Sequence, residues 1–185
     1  MTYRSRATGV SLLEVMVVVA IVTSLGAMAV PALSRWIDEW KVTVLANTLL
    51  ADLQLARSEA IRRGSPVVVC SASAGGCGTA GLWEQGWLVF VDANNNAKID
   101  EGEDLLRHSA ITSAKHLMLR GNGPVRSYVS YHPLGQTRLV NGAFQAGTLT
   151  LCPAWYGATR ARSIVINSGG RPRVDRIAAD TVCGR

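Results

Sequence analysis

The chain opens with a short polar and basic head, residues 1–9, and then turns apolar for some two dozen positions. Residues 15–33 are nineteen positions without Asp, Glu, Lys or Arg. As a helix rising about 1.5 Å per residue, they come close to crossing a hydrocarbon core of roughly 30 Å. The pattern predicts a membrane-capable helix over residues 10–34. Beyond it the apolar positions recur at three- and four-residue spacing: Ile37, Trp40, Val44, Leu45, Leu49, Leu53, Ala56, Ala60 and Ile61. Asp38, Glu39, Lys41, Asp52, Glu59, Arg62 and Arg63 fall on other faces. Gly64, Ser65 and Pro66 end the stretch, because Gly suits a left-handed cap and Pro cannot continue a helix. One helix of about fifty residues, near 80 Å long, is expected. Its second half, residues 35–64, carries an apolar stripe that needs cover.

The pattern then shortens to strand length. Residues 67–70, 86–91, 117–119, 128–131, 148–152 and 163–166 are runs of β-branched and aromatic residues separated by Gly, Pro, Asn and Asp. They predict an antiparallel sheet or sandwich over residues 65–185, packed on the amphipathic half of the helix. The fold class is α+β: a long N-terminal helix and one β-rich head. There is no internal repeat and no low-complexity linker.

Charge orients this arrangement. Arg4 and Arg6 precede the apolar stretch, and positive residues mark the cytoplasmic side, so the head faces the periplasm or the exterior. The four cysteines agree with an oxidising compartment, since none sits at zinc spacing. Three pairings exist in principle. Cys70 and Cys77 bracket a Gly/Ser/Ala loop, which favours a local bridge and leaves Cys152 with Cys183 to pin the C-terminus.

A secretory signal would account for the apolar block, with residues 24–29 as its small-residue cleavage site. Glu14 argues otherwise, because an unpaired carboxylate at the head of an apolar helix is costly in lipid and is a functional candidate. Gly9 followed by Val10-Ser11-Leu12-Leu13-Glu14 resembles the processing site of the type IV pilin family. The resemblance implies cleavage of a leader, residues 1–9, between Gly9 and Val10 by a prepilin peptidase. It also implies an assembly role for Glu14 beside a neighbouring subunit's N-terminal amine. Val10 stands where family members usually have Phe, which bears on N-methylation. Pro31 falls where pilins commonly carry a helix-weakening proline.

Leu55-Ala-Arg-Ser-Glu-Ala-Ile-Arg-Arg-Gly64 and Gln85-Gly-Trp-Leu-Val-Phe-Val-Asp-Ala-Asn94 resemble minor pilins and pseudopilins of the GspH/FimT type. The resemblance implies other pilins as filament partners. It implies a single-pass inner-membrane stage with a periplasmic head, followed by residence in an extracellular pilus.

Charge is uneven within the head. Residues 35–150 hold eleven Lys or Arg against ten Asp or Glu, whereas residues 151–185 hold six Arg against two Asp. Arg160 and Arg162 follow Trp155 and Tyr156, and Gly170-Arg171-Pro172-Arg173 is followed by Arg176. The Gly-Arg-x-Arg stretch resembles the DNA-binding motif of FimT-like minor pilins. Arginine suits that task because its planar fork pairs phosphate oxygens, and the aromatic pair could stack on exposed bases. The expected function is a minor pilin that binds extracellular DNA, without sequence preference, for uptake and natural transformation. The alternative is a structural subunit of a pilus or of type II secretion, with the arginines a solvated face.

Asp92, Asn94, Asn96, Asp100 and Glu103 stand at oxygen-ligand positions of a calcium loop, but Ala97 replaces its usual turn glycine, so a plain hairpin turn is the stronger expectation. His108, His116 and His132 are scattered without metal spacing. No nucleophile elbow or phosphate loop exists. No enzyme activity and no cofactor are expected.

Overall fold

The computed structural model describes residues 9, 11–111, 117–153 and 160–183. The chain divides into two compact units, Met1–Trp40 and Lys41–Arg185, and the long helix α1 (Leu12–Arg63) runs through both. In the first unit α1 starts at Ser11, whose Oγ accepts the Glu14 backbone N–H at 3.2 Å, an N-cap that satisfies one of the helix's orphan donors. The side chains of Leu12, Leu13, Met16 and Val22 are largely exposed. Among the described residues no helix is long and apolar enough to cross a membrane.

In the second unit α1 buries Val42, Ala46, Leu49, Leu53, Ala56 and Ala60, a seam at alternating four- and three-residue steps. The stripe read from the sequence is right at Leu49, Leu53, Ala56 and Ala60. It is wrong at Ile37, Trp40, Val44 and Ile61, all of which are exposed. Alanines at three of the six seam positions let the sheets approach the helix closely. α1 ends at Gly64, whose φ of 62° is the left-handed cap the sequence predicts.

Two antiparallel sheets cover the seam. The first consists of β1 (Val67–Ser73), β2 (Gly76–Cys77), β3 (Gly86–Val91), β4 (Leu105–Ala110) and β6 (Tyr128–Tyr131), in the order β2, β1, β3, β4, with β6 also paired to β1. The second is β5 (Leu117–Gly121), β7 (Gly147–Pro153), β8 (Arg160–Ile166) and β9 (Pro172–Ala178), in the order β5, β7, β8, β9. A short α2 (Ala179–Val182) follows. Strand alternation splits β1 and β3 between two cores. Val67, Val69, Trp87 and Val89 join α1, Leu149, Leu151, Ile164 and Ile166 in the main core. Val68, Cys70, Leu88 and Phe90 face outward into a second core closed by Ala97.

The apolar pattern leaves out the two-residue β2 and the longer strands β4 and β9. β4 and β9 are sheet edges with largely exposed faces, so they lack the apolar runs that mark central strands. Pro172 fits because it is the first residue of an edge strand, where the missing N–H costs little.

Candidate nucleic-acid interface

The C-terminal arginines sit mostly within strands. β8 and β9 pair with Arg162 directly opposite Arg176, Arg160 opposite Ala178 and Val165 opposite Arg173. Opposed residues share a face, so Arg160, Arg162 and Arg176 lie with Ile164 and Ile166 on one face, and Arg173 lies on the other. Arg162 is half-buried and donates from Nη2 to Thr43 Oγ1 of α1 at 3.0 Å. Arg173 pairs with Asp175 at 3.2 Å. Arg171 precedes β9, and its backbone N–H is donated to Asn167 Oδ1 at 3.0 Å. The five arginines are thus not one patch: three share a face, Arg173 is behind it, and Arg171 occupies the turn.

The disulfide Cys152–Cys183 fixes this region. Cys152 is on β7 and Cys183 follows α2, so the bridge ties the end of β9 back across β8 and holds both arginine-bearing strands. Cys70–Cys77 closes the β1–β2 hairpin. Trp155, Tyr156, His116 and Val10 lie outside the described residues.

Arg57 was not singled out by sequence reading. Its Nε–H is donated to the Gly135 carbonyl at 3.0 Å. A signal was present, because no acid stands three or four positions away on α1, whereas Arg62 and Arg63 share Glu59 at that spacing.

With this geometry in hand, the family model described as Type II transport protein GspH matches residues 45–170, well over half the chain. The chain belongs to the GspH family. It is a type IV minor pilin or pseudopilin of the GspH/FimT kind. Its fold is similar to that of the type IV minor pilin FimU of Pseudomonas aeruginosa PAO1 in two crystal forms. The first has 20% identity, covering 76% of this chain and 93% of FimU, with a TM-score of 0.58. The second has 20% identity, covering 75% and 97%, with a TM-score of 0.52. The minor pseudopilin EpsH of the Vibrio cholerae type 2 secretion system matches at 12% identity over 75% of this chain and 98% of that one, with a TM-score of 0.49. No curated protein sequence matches. The matched proteins are pilins and pseudopilins, not enzymes.

Gly9 is exposed and precedes the helix, and Glu14 occupies the third helical position after Ser11. Ser11 and Glu14 thereby have the spacing of a capping box, and a carboxylate in the first turn also suits the helix dipole. The Asp92 loop uses its oxygens internally. Asp92 accepts the backbone N–H groups of Asn96 at 3.0 Å and Ala97 at 2.8 Å. Asp100 accepts from the Asn94 and Asn96 side-chain amides, and Glu103 from the Ala93 and Asp100 backbones. Burial raises the Asp92 pKa above the ordinary carboxylate value, the neighbouring Glu103 charge adds to the rise, and the N–H groups oppose it. Ala97, at φ 57°, is buried in the second core. Among the described residues no group of three or more His, Cys, Asp or Glu is placed to hold a metal ion. The loop is a packed turn between β3 and β4.

Proposed function

We propose that this minor pilin enters a filament through its N-terminal helix and binds extracellular DNA through the arginines of β8 and β9, supporting DNA uptake. In this reading a prepilin peptidase cuts between Gly9 and Val10. The subunit waits in the inner membrane with its head in the periplasm, and Glu14 guides it into the pilus beside other pilins. The exposed apolar side chains from Leu12 to Leu25 support this, because such a surface needs lipid or neighbouring helices.

The observation that carries the DNA reading is Arg162 directly opposite Arg176, with Arg160 on the same face. Like charges facing each other across a strand pair destabilise a sheet. A polyanion turns that cost into binding. A structural role without DNA is favoured by one observation: Arg162 and Arg173 already have partners within the head.

The test is titration of the full chain in nonionic detergent with labelled DNA at several salt concentrations. If about four arginines neutralise phosphates, log affinity falls against log salt with a slope of about −3 to −4. The expected Kd at physiological salt is roughly 1 to 100 μM, with little sequence preference. Changing Arg171 and Arg173 together to Gln should weaken binding strongly, whereas Arg62→Gln with Arg63→Gln should not, since these hold Glu59 and Asp104. Equal losses in both pairs would mean net charge alone attracts DNA. No binding by the wild-type chain in this range would leave the structural subunit as the correct reading.

A further inference from the structure

Most of the described arginines on or beside α1 have a carboxylate partner. Arg62 and Arg63 hold Glu59, Arg63 reaches Asp104, Arg107 holds Asp52 and Arg120 holds Glu84. Arg57 and Arg171 differ, because among the described residues no ion pair involves either. Both line one open cleft of about 600 Å³ between α1 and the turn that enters β9. Gln54 and Ser58 supply further polar groups, Ile61 and Pro172 an apolar wall, and no described lining residue is acidic.

The two cations are brought together by construction. The turn closes with the Gly170 N–H donated to the Asn167 carbonyl at 2.9 Å, and Gly170 has a φ of 74°. A Cβ at Gly170 would collide with the Gly135 carbonyl oxygen, so only glycine lets this turn approach so closely. That oxygen is the acceptor for Arg57 Nε–H. One carbonyl therefore touches both arms, with Arg57 on one side and the residue preceding Arg171 on the other.

Two guanidiniums beside one concavity without a counter-charge repel each other, and a bound oxyanion reverses the sign of that interaction. The geometry points to a phosphate site: we propose that Arg57 and Arg171 grip one phosphodiester of the DNA backbone from two sides, so that the helix contributes to the DNA interface. The proposal rests on the DNA-binding reading above. Phosphate is favoured over a carboxylate because Arg173 follows Arg171 by two positions at the start of β9, a second cation that a polymer with regularly repeated phosphates can reach. The Arg173–Asp175 pair is exposed on both sides and can exchange its partner at small cost.

The experiment uses the full chain in nonionic detergent, with Arg57→Gln, Arg171→Gln, Arg176→Gln and their pairwise combinations. Each single change should weaken DNA binding about five- to tenfold and reduce the salt slope by about 1. The Arg57/Arg171 double variant should lose less than the product of the two single effects, because both act on one phosphate. Arg57 with Arg176 should multiply. Arg57→Lys, which keeps the charge but not the Nε–H fork, covers the case in which Arg57→Gln unfolds. Pyrophosphate is titrated in parallel, with the Arg57 and Arg171 Nε–H resonances as readout. Shifts of both resonances are expected. If wild type binds DNA but the Arg57 and Arg171 variants bind equally well, the cleft assignment is overturned and the DNA reading survives. If DNA does not bind but pyrophosphate moves both resonances, the cleft stands and the DNA reading fails. If pyrophosphate moves neither while a poly-glutamate peptide does, the cleft takes an acidic protein segment and the phosphate assignment is wrong.

Discussion

Trp87 of β3 donates its indole Nε1–H to the Asp52 carboxylate of α1 at 2.7 Å, with both side chains buried. Ser109 Oγ donates to the same carboxylate at 2.9 Å, and Arg107 approaches its other oxygen at 3.3 Å. One acid thus links the helix to β3 and to edge strand β4. Asp52→Ala should destabilise the head by roughly 2–4 kcal/mol, because it leaves the indole N–H buried without an acceptor and removes the partner of Arg107. Asp52→Asn keeps an acceptor and should cost less, about 1–2 kcal/mol. Urea unfolding followed by tryptophan fluorescence measures both, and equal costs would mean that the indole bond contributes little.

Glu14 can be separated from its neighbour in the cap. Glu14→Ala should leave leader cleavage largely intact but reduce incorporation into sheared pili, since two charges in an apolar filament core are tolerable only together. Ser11→Ala removes the N-cap acceptor while keeping the carboxylate, and should cost helix stability of about 1 kcal/mol with incorporation retained. Normal incorporation of Glu14→Ala would refute an assembly role.

The staple between Cys152 and Cys183 spans 31 positions. In the loop-entropy account its removal should cost about 3–4 kcal/mol, whereas loss of Cys70–Cys77, spanning 7 positions, should cost less. Paired Ser variants compared by thermal melting check the order. Cys152→Ser with Cys183→Ser should also weaken DNA binding, because Arg160, Arg162 and Arg176 lie on strands that the staple ties.

At the end of α1, hydrogen bonds from Arg62 and then Arg63 lower the Glu59 pKa from 4.5 to about 2. A lowered acid contributes stability that is present above its unfolded pKa and is lost as pH falls through the folded one. The helix end should therefore hold above about pH 4.5 and loosen between 4.5 and about 2. Carboxyl NMR titration of Glu59 reads this directly, and Arg62→Gln should move its midpoint upward. An unchanged midpoint would show that Arg63 alone sets the shift.

The sequence by itself determined the elements with a strong local signature. The left-handed cap at Gly64 and the buried runs of β1, β3 and β7 follow from period and residue type, and the local Cys70–Cys77 bridge follows from its loop. The leader pattern at Gly9 and Glu14 and the arginine excess near the C-terminus were legible for the same reason. Tertiary structure decided what depends on partners far along the chain. Asp52 reads as a charge on the flank of the apolar stripe, and only Trp87, Ser109 and Arg107 make its burial favourable. β4 and β9 carry no apolar run because each is paired on one side alone, so pairing rather than composition makes them strands. The five arginines look equivalent in a list of charges. The β8–β9 register and the close approach of Gly170 to Gly135 sort them onto two faces and set Arg171 beside Arg57, far away along the chain.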